Sequence, residues 1–198
     1  ALEKAVREDK QNRVEATQPE IEFCQTNRGI VQIFADAQAK GELPQRITHN
    51  DTKIDNVLLD QDTDEVMCIV DLDTVMPGLI HYDFGDMVRT LTSPADEDER
   101  DLDKVTMRMD FFDALAKGYL SEANDFLSEA EKGYLAQAGK VITFQLGVRF
   151  LTDHLNGDTY FRVHREGQNL DRARVQFKLV ERMLENEEAM KATIAALG

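Results

Sequence analysis

From residue 85 onward the chain keeps a single hydrophobic period. Met109, Phe112, Ala116 and Tyr119 form one apolar stripe at three- and four-residue spacing. Val141, Phe144, Val148, Leu151 and Leu155 form a second, and Leu170, Ala173, Phe177, Val180 and Leu184 a third that continues with interruptions towards Leu197. Stripes of this kind bury themselves only against one another, so the C-terminal half is predicted to be packed helices. Upstream the period changes once. VLLD (57–60) and VMCIV (66–70) are short apolar runs joined by the polar stretch QDTDE, which predicts a β-hairpin. Residues 1–16 are charged and expected to be helical up to the interruption TQP at 17–19. A further helix is expected from about 19 to 40, with Ile30, Ile33, Phe34 and Ala37 on one face and Gly41 and Pro44 ending it. SPADEDERDLDK (93–104) reads as an exposed connector whose charge run is a solvated face. The expected fold is α+β and mostly helical, a single domain over 1–198. It has helices in 1–45, a loop and hairpin in 46–75, and a helical region over 84–198, with no internal repeat.

Charge narrows the function classes. Thirty-eight Asp and Glu against 23 Lys and Arg give −15, which repels phosphate backbones and anionic membranes and argues against nucleic-acid binding. Small anionic substrates would need local cations or metal ions. Cys24 and Cys68 make neither a disulfide framework nor a Cys-rich metal site, and Cys68, inside an apolar run, is expected to be a small core residue. No signal peptide or long apolar run is seen, so a soluble cytoplasmic protein is expected.

The chemistry concentrates in residues 48–86, where three patterns compete. HNDTKIDN has the form H-x-D-x-K-x-x-N, a spacing that suits phosphoryl transfer. Asp51 would orient a hydroxyl and accept its proton, Lys53 would neutralise charge on the moving phosphoryl group, and Asn56 would turn its amide oxygen to a magnesium ion. His49 would anchor the loop. The bland reading is a polar loop before a strand. In VMCIVDLD, a buried strand would end in Asp71, and the hairpin would return Asp71 beside Asn56 as a second magnesium ligand. Asp73 would face the same side if the strand continues, holding a second metal or a water; it could equally cap a helix or sit in a turn.

VDLDTV also fits a haloacid-dehalogenase-type phosphatase motif, with Asp71 as nucleophile and Asp73 as acid and base. That fold needs alternating strands and helices downstream, which the helical pattern does not offer. The third pattern, DFG at 83–85, holds metal in protein kinases at a hairpin's length from the catalytic Asp. Here it lies beyond a second loop, so Asp83 reads as structural, capping a helix that begins near Gly85 or tying down the loop. The histidines show no metal spacing, and no Ser-His constellation has local support.

With HNDTKIDN, VDLDTVMPG, YDFGDMVRT and VRFLTDHLNGDTYFRV taken in order, the sequence resembles the aminoglycoside/choline-kinase-like phosphotransferase family over nearly the whole chain. Within it, the likeness is strongest to N-acetylhexosamine 1-kinases. The resemblance implies the C-terminal lobe of a protein-kinase-like fold, ATP as phosphoryl donor, Mg²⁺ as cofactor and a small-molecule sugar as acceptor. It implies Asp51 as base, Asn56 and Asp71 as metal ligands, and Arg149 and Tyr160 in or near the sugar site. Without the resemblance, Arg149 would pair with Asp153 at i,i+4 and Tyr160 would be a core ring. Asp55 stands where related sugar kinases often have Asn. No Gly-rich loop or V-A-I-K-like lysine precedes residue 48, so the N-lobe is expected to be missing and the 198 residues to be a portion of a longer kinase, with little activity alone. A choline, homoserine or aminoglycoside kinase is the alternative within this chemistry; a non-catalytic binding module is the alternative outside it.

Overall fold

The computed structural model describes residues 1–63 and 65–198. Eight α-helices and four short strands follow in the order α1 (Leu2–Glu8), α2 (Gln18–Thr26), α3 (Gln32–Ala39), β1 (Arg46–Thr48), β2 (Val57–Leu59), β3 (Val66–Ile69), β4 (Met76–Gly78), α4 (Ile80–Thr92), α5 (Met109–Ala123), α6 (Glu129–Asn156), α7 (Gln168–Glu185) and α8 (Glu187–Leu197) among the described residues. The mostly helical α+β class read from the pattern is the class observed.

The core is built by α6, which packs against both α4 and α7. Its start is written locally. Ser128 Oγ accepts the Glu131 N–H while the Glu131 carboxylate accepts the Ser128 N–H, a reciprocal cap that satisfies two otherwise orphaned donors. Its end is equally explicit: Gly157 takes φ +99°, and the chain turns out with Asp158 N–H bonded to the Asp153 carbonyl at 2.8 Å. Between these ends α4 comes unusually close. A Cβ on Gly85 would stand 2.5 Å from the Ala138 carbonyl oxygen of α6, so the glycine of DFG is a helix-packing position. Phe84, Phe112, Phe144, Leu135 and Leu151 fill the interior with almost no exposure. Each such side chain stabilises by roughly 1.5–3 kcal/mol.

Several local expectations are corrected. The helix expected over 19–40 is two helices, because Asn27 folds its side-chain Nδ2 back onto the Phe23 carbonyl (2.9 Å) and ends α2 there; residues 28–31 run as a tighter turn before α3. Residues 1–16 hold α1, which stops at Glu8, and the start of a short 3₁₀ helix, Glu15–Thr17. The helix expected near Gly85 starts five residues earlier, at Ile80, directly out of β4. Leu184 ends the third stripe half in solvent, and Asn186 separates α7 from α8.

The acidic connector 93–104 is not simply a solvated face. Asp98 accepts from Arg165 (2.9 Å) and Gln168 (3.0 Å), Glu97 pairs with Arg172 (3.1 Å), and Glu99 with Lys104 (3.0 Å). The run is stitched onto the start of α7.

The strands form two antiparallel pairs. The hairpin β2–β3 aligns Val57 with Ile69 and Leu58 with Cys68; its turn, QDTDE, includes Asp64, which lies outside the described residues. The second pair, β1–β4, aligns Arg46 with Gly78 and Thr48 with Met76 and was not foreseen. The expectation of a buried β3 is wrong: Val66, Met67, Cys68 and Ile69 are all exposed, because a lone hairpin has no layer on either face. Cys68 is therefore a surface residue, and Cys24 is the buried one, its thiol pushed up to about 12 by burial and by the nearby Glu20.

Candidate active site

The loop between β1 and β2 carries HNDTKIDN, and three sets of contacts hold it. From below, α4 delivers Asp83, whose Oδ2 accepts the His49 N–H at 2.8 Å and whose Oδ1 accepts the Asn50 N–H at 2.7 Å. The Thr52 hydroxyl adds a bond to the Asp83 carbonyl at 2.7 Å. Asp83 therefore ties down the loop and does not cap α4, whose first turn already contains it. From the side, residues 72–76 zip onto 48–50. The Thr74 hydroxyl donates to the His49 carbonyl (2.7 Å), Asn50 Nδ2 to the Thr74 carbonyl (3.0 Å), and Thr48 Oγ1 to the Met76 carbonyl (3.0 Å).

The third anchor is His49 itself. Its Nε2 lies 3.1 Å from the Val70 carbonyl, an acceptor only, so Nε2 carries the proton and Nδ1 is left to accept the Asp51 N–H at 3.3 Å. Both ring nitrogens are spent on position, which leaves the imidazole nothing with which to move a substrate proton.

These anchors present Asp51. Its Oδ2 accepts from Asn56 Nδ2 at 2.9 Å and lies 3.2 Å from Lys53 Nζ; Asn56 Nδ2 also reaches the Asp51 carbonyl at 2.8 Å. Spending the amide nitrogen on Asp51 fixes which way the buried Asn56 side chain faces and keeps its amide oxygen for another partner. The Lys53 ammonium is held above its ordinary pKa: partial burial opposes its charge, but the Asp51 hydrogen bond and the fields of Asp51, Asp71 and Asp55 outweigh that.

The hairpin brings the far end of the motif back. Val70 N–H donates to the Asn56 carbonyl at 2.9 Å, which sets Asp71 next to Asn56 along the chain's return. Asp71 sits at φ +63°, a left-handed conformation that a non-glycine residue adopts only when its surroundings impose it. The strand has already ended, so the alternation expected to align Asp71 with Asp73 does not operate. Asp73 instead lies in a short turn of 3₁₀ helix, Leu72–Thr74. The two carboxylates still meet: the hydrogen bond and charge of Asp73 push the Asp71 pKa upward.

Among the described residues no three His, Cys, Asp or Glu side chains cluster to hold a metal by themselves. Two crowded exposed carboxylates and one amide oxygen fit a hard cation that takes few protein ligands and completes its shell with phosphate and water.

Arg149 and Tyr160 come from the end of α6 and the turn that follows it. They line a cavity of about 370 Å³ together with Val148, Thr152 and Phe161. Arg149 Nη2 donates to the Tyr160 hydroxyl at 3.2 Å, and Tyr160 is 72% exposed, so it is no core ring. The expected Arg149–Asp153 pair does not form. The Asp153 carboxylate is turned inward, accepting the N–H groups of Thr159, Tyr160 and Phe161 at 2.9–3.0 Å and the amide of Asn169 at 3.0 Å.

One contributor escaped the sequence reading. Arg46 Nε and Nη2 grip the buried Glu131 carboxylate at 2.6 and 2.8 Å, pinning β1, and so the loop's entry, to the start of α6. The S-x-x-E spacing of Ser128 and Glu131 was readable as a cap; the partner 85 residues earlier was not.

A family model described as the phosphotransferase enzyme family matches residues 1–128, which include the whole loop, the hairpin, Asp71, Asp73 and Asp83. The chain belongs to this family. Its class of function is kinase-like phosphoryl transfer; α6 to α8, with Arg149 and Tyr160, lie beyond the matched residues, so the match is shorter than the resemblance expected. Membership, and helices where a phosphatase of the Asp71-nucleophile kind needs alternating strands, leave that alternative without a scaffold.

Proposed function

We propose that this chain carries the catalytic centre of an ATP- and Mg²⁺-dependent kinase for a small-molecule hydroxyl, with an N-acetylhexosamine as the acceptor that the sequence resemblance favours. One observation carries the reading: Asp51 is braced by Lys53 and Asn56 on a loop that Asp83 and His49 immobilise, and the hairpin returns Asp71 and Asp73 to it.

In this reading Asp51 orients the acceptor hydroxyl and takes its proton as the new O–P bond forms and the bond from the γ-phosphorus to its bridging oxygen breaks, releasing ADP. Lys53 stands beside Asp51, where its charge offsets the negative charge that builds on the transferred group. Asn56, Asp71 and Asp73 would hold magnesium, which supplies charge neutralisation on the β- and γ-phosphates when bound with ATP. His49 and Asp83 act on position alone. The exposed apolar row of the hairpin, Val66, Met67 and Ile69, fits a second lobe covering it and completing the nucleotide cradle.

The test uses the complete open reading frame with Mg-ATP and a panel of N-acetylhexosamines, hexoses, choline, homoserine and aminoglycosides, following ADP. Acceptor-dependent ADP with an N-acetylhexosamine, lost by three orders of magnitude or more in Asp51→Asn at unchanged melting temperature, is the expected result. Release only with a cationic acceptor moves the substrate class. Full turnover in Asp51→Asn removes the base assignment.

A further inference from the structure

Helix α4 ends at Thr92 because Pro94 cannot continue it: Ser93 is held extended (φ −100°, ψ 134°), as a residue before proline prefers. At Arg108 the chain is back. Its N–H donates to the Thr92 carbonyl at 2.9 Å and its Nη2 to the Leu91 carbonyl at 2.7 Å. The segment 93–107 is therefore an Ω-type loop with a closed neck, and its body is free to shift without moving α4 or α5.

The two halves of that body are attached by different physics. The returning half is held by burial: Val105 is fully buried, its carbonyl accepts from Arg182 Nε at 3.3 Å, and Leu102 and Met107 pack on the core. In the outgoing half, 94–100, no residue is buried, and Ala95 packs at the edge of the core. Its other ties run through charged groups. Glu97 reaches Arg172 at 3.1 Å and Arg89 at 3.8 Å. Asp98 reaches Arg165 at 2.9 Å and the Gln168 amide at 3.0 Å, and Arg100 reaches Asp171 at 3.4 Å. Pairs of this kind are individually weak and screened by salt. They are also releasable, because each arginine that receives Glu97 or Asp98 has a second partner on the body of the protein. Arg89 keeps Asp86 (2.8 Å), Arg165 keeps Asp171, and Arg172 keeps the Arg162 carbonyl and Asn169 Oδ1, both at 3.1 Å. Letting go returns Glu97 and Asp98 to water without stranding a buried charge, the step that would otherwise hold the loop shut.

What the outgoing half covers gives it a role. Ala95, Asp96 and Glu97 form one wall of a cleft of about 470 Å³, whose other walls are the last turns of α4, Lys53 of the catalytic loop, and α7 at Val175 and Leu179. With the wall in place Val175 is only 3% exposed. We propose that residues 94–100 are a hinged strap, latched in this structure by Glu97 and Asp98, and that its release opens the cleft beside Lys53. The Thr92–Arg108 neck and Val105 are its fixed points. The opening itself is independent of any chemistry; its consequence for turnover rests on the phosphotransfer reading.

The test uses the complete protein and a double variant, Glu97→Gln with Asp98→Asn, which keeps side-chain size and removes the charges of the latch. Glu122→Gln, at an exposed residue of α5, is the control for lost charge. Trypsin cleavage after Arg100 is timed at about 50 and about 500 mM NaCl, with a small chromogenic substrate correcting for the effect of salt on the protease. In a Cys68→Ser background, Val175→Cys is labelled with a maleimide in the same two buffers and the site is read by mass spectrometry. Higher salt is expected to speed both the cut and the labelling by about fivefold or more. The double variant is already fast at low salt, gains little more, and melts close to the wild type, while Glu122→Gln behaves as the wild type. A cut indifferent to salt, or equally salt-dependent in the double variant, would overturn the latch. A faster cut with unchanged labelling would overturn the opening of the cleft. Faster cutting and labelling without ADP release from any acceptor would retain the strap and sink the kinase reading.

Discussion

Asp83 lies 33 residues beyond Asn50, yet its Oδ1 takes the Asn50 main-chain N–H at 2.7 Å, while its Oδ2 takes that of His49. Asn50 itself sits at φ +65°, so the turn that aims Asp51 is a strained one held in place by a carboxylate on a helix. Asp83→Ala removes two charge-assisted bonds at once. Stability should fall by about 2–4 kcal/mol in urea unfolding, and turnover of the complete enzyme by 100-fold or more. Asp83→Asn, which keeps one acceptor, should lie between. A variant with native turnover would remove Asp83 from the positioning of the loop.

The Arg46–Glu131 grip predicts an acid sensitivity with a definite window. Arg46 holds the Glu131 carboxyl down at about 2, well below the 4.5 of a free glutamate. A depressed folded-state pKa contributes stability that is complete above about 4.5 and is lost as pH falls towards 2. Unfolding free energies from urea titrations at pH 7, 4 and 2.5 should decline in the wild type by an amount on the order of 2–3 kcal/mol from this group. Glu131→Gln should be less stable at pH 7 and decline less over that window. Parallel declines in the two proteins would contradict the assignment.

Gly85 and Gly118 make opposite predictions for the same substitution. A Cβ at Gly85 meets the Ala138 backbone 2.5 Å away, whereas nothing stands within 4 Å of one at Gly118, on the exposed face of α5. Gly85→Ala should destabilise by about 2 kcal/mol, the cost of forcing α4 off α6 exceeding the gain in helix propensity. Gly118→Ala should stabilise by about 0.5–1 kcal/mol. Thermal unfolding of the two single variants measures both signs, and a stabilising Gly85→Ala would refute the close approach.

Asp153 is 5% exposed, and three consecutive main-chain N–H groups converge on it. Asp153→Ala strands those donors and should cost about 3–5 kcal/mol. Amide hydrogen exchange at 159–161 should rise far more than in α4. Equal acceleration in both places would mean that the residue supports the whole fold and not this loop.

What the sequence made legible follows its periodicities. The stripes through Phe112, Phe144 and Phe177 mark three buried helix faces correctly, because a helical period is written in residues close in sequence even though distant helices cover it. The hairpin is legible for the same reason. The β1–β4 pair was not, since three-residue strands carry no period and Thr48 finds Met76 only through the loop between them. Cys68 misled because an apolar run states a preference for burial and not the presence of a cover. At the site, Asp51, Lys53 and Asn56 fall within one octapeptide and come together as their spacing suggests. Glu131 lies 75 residues beyond Asn56, the last residue of the loop, and is positioned only by helix packing.

Asp83 and Gly85 share one turn of α4: one residue faces the loop and the other is pressed against α6. The catalytic geometry is thus not stored in the loop but borrowed from the interior through a lever two residues long. Warming the protein should therefore produce no gradual slackening at Asp51 ahead of general unfolding. Aim and integrity should fail together, in a single cooperative event.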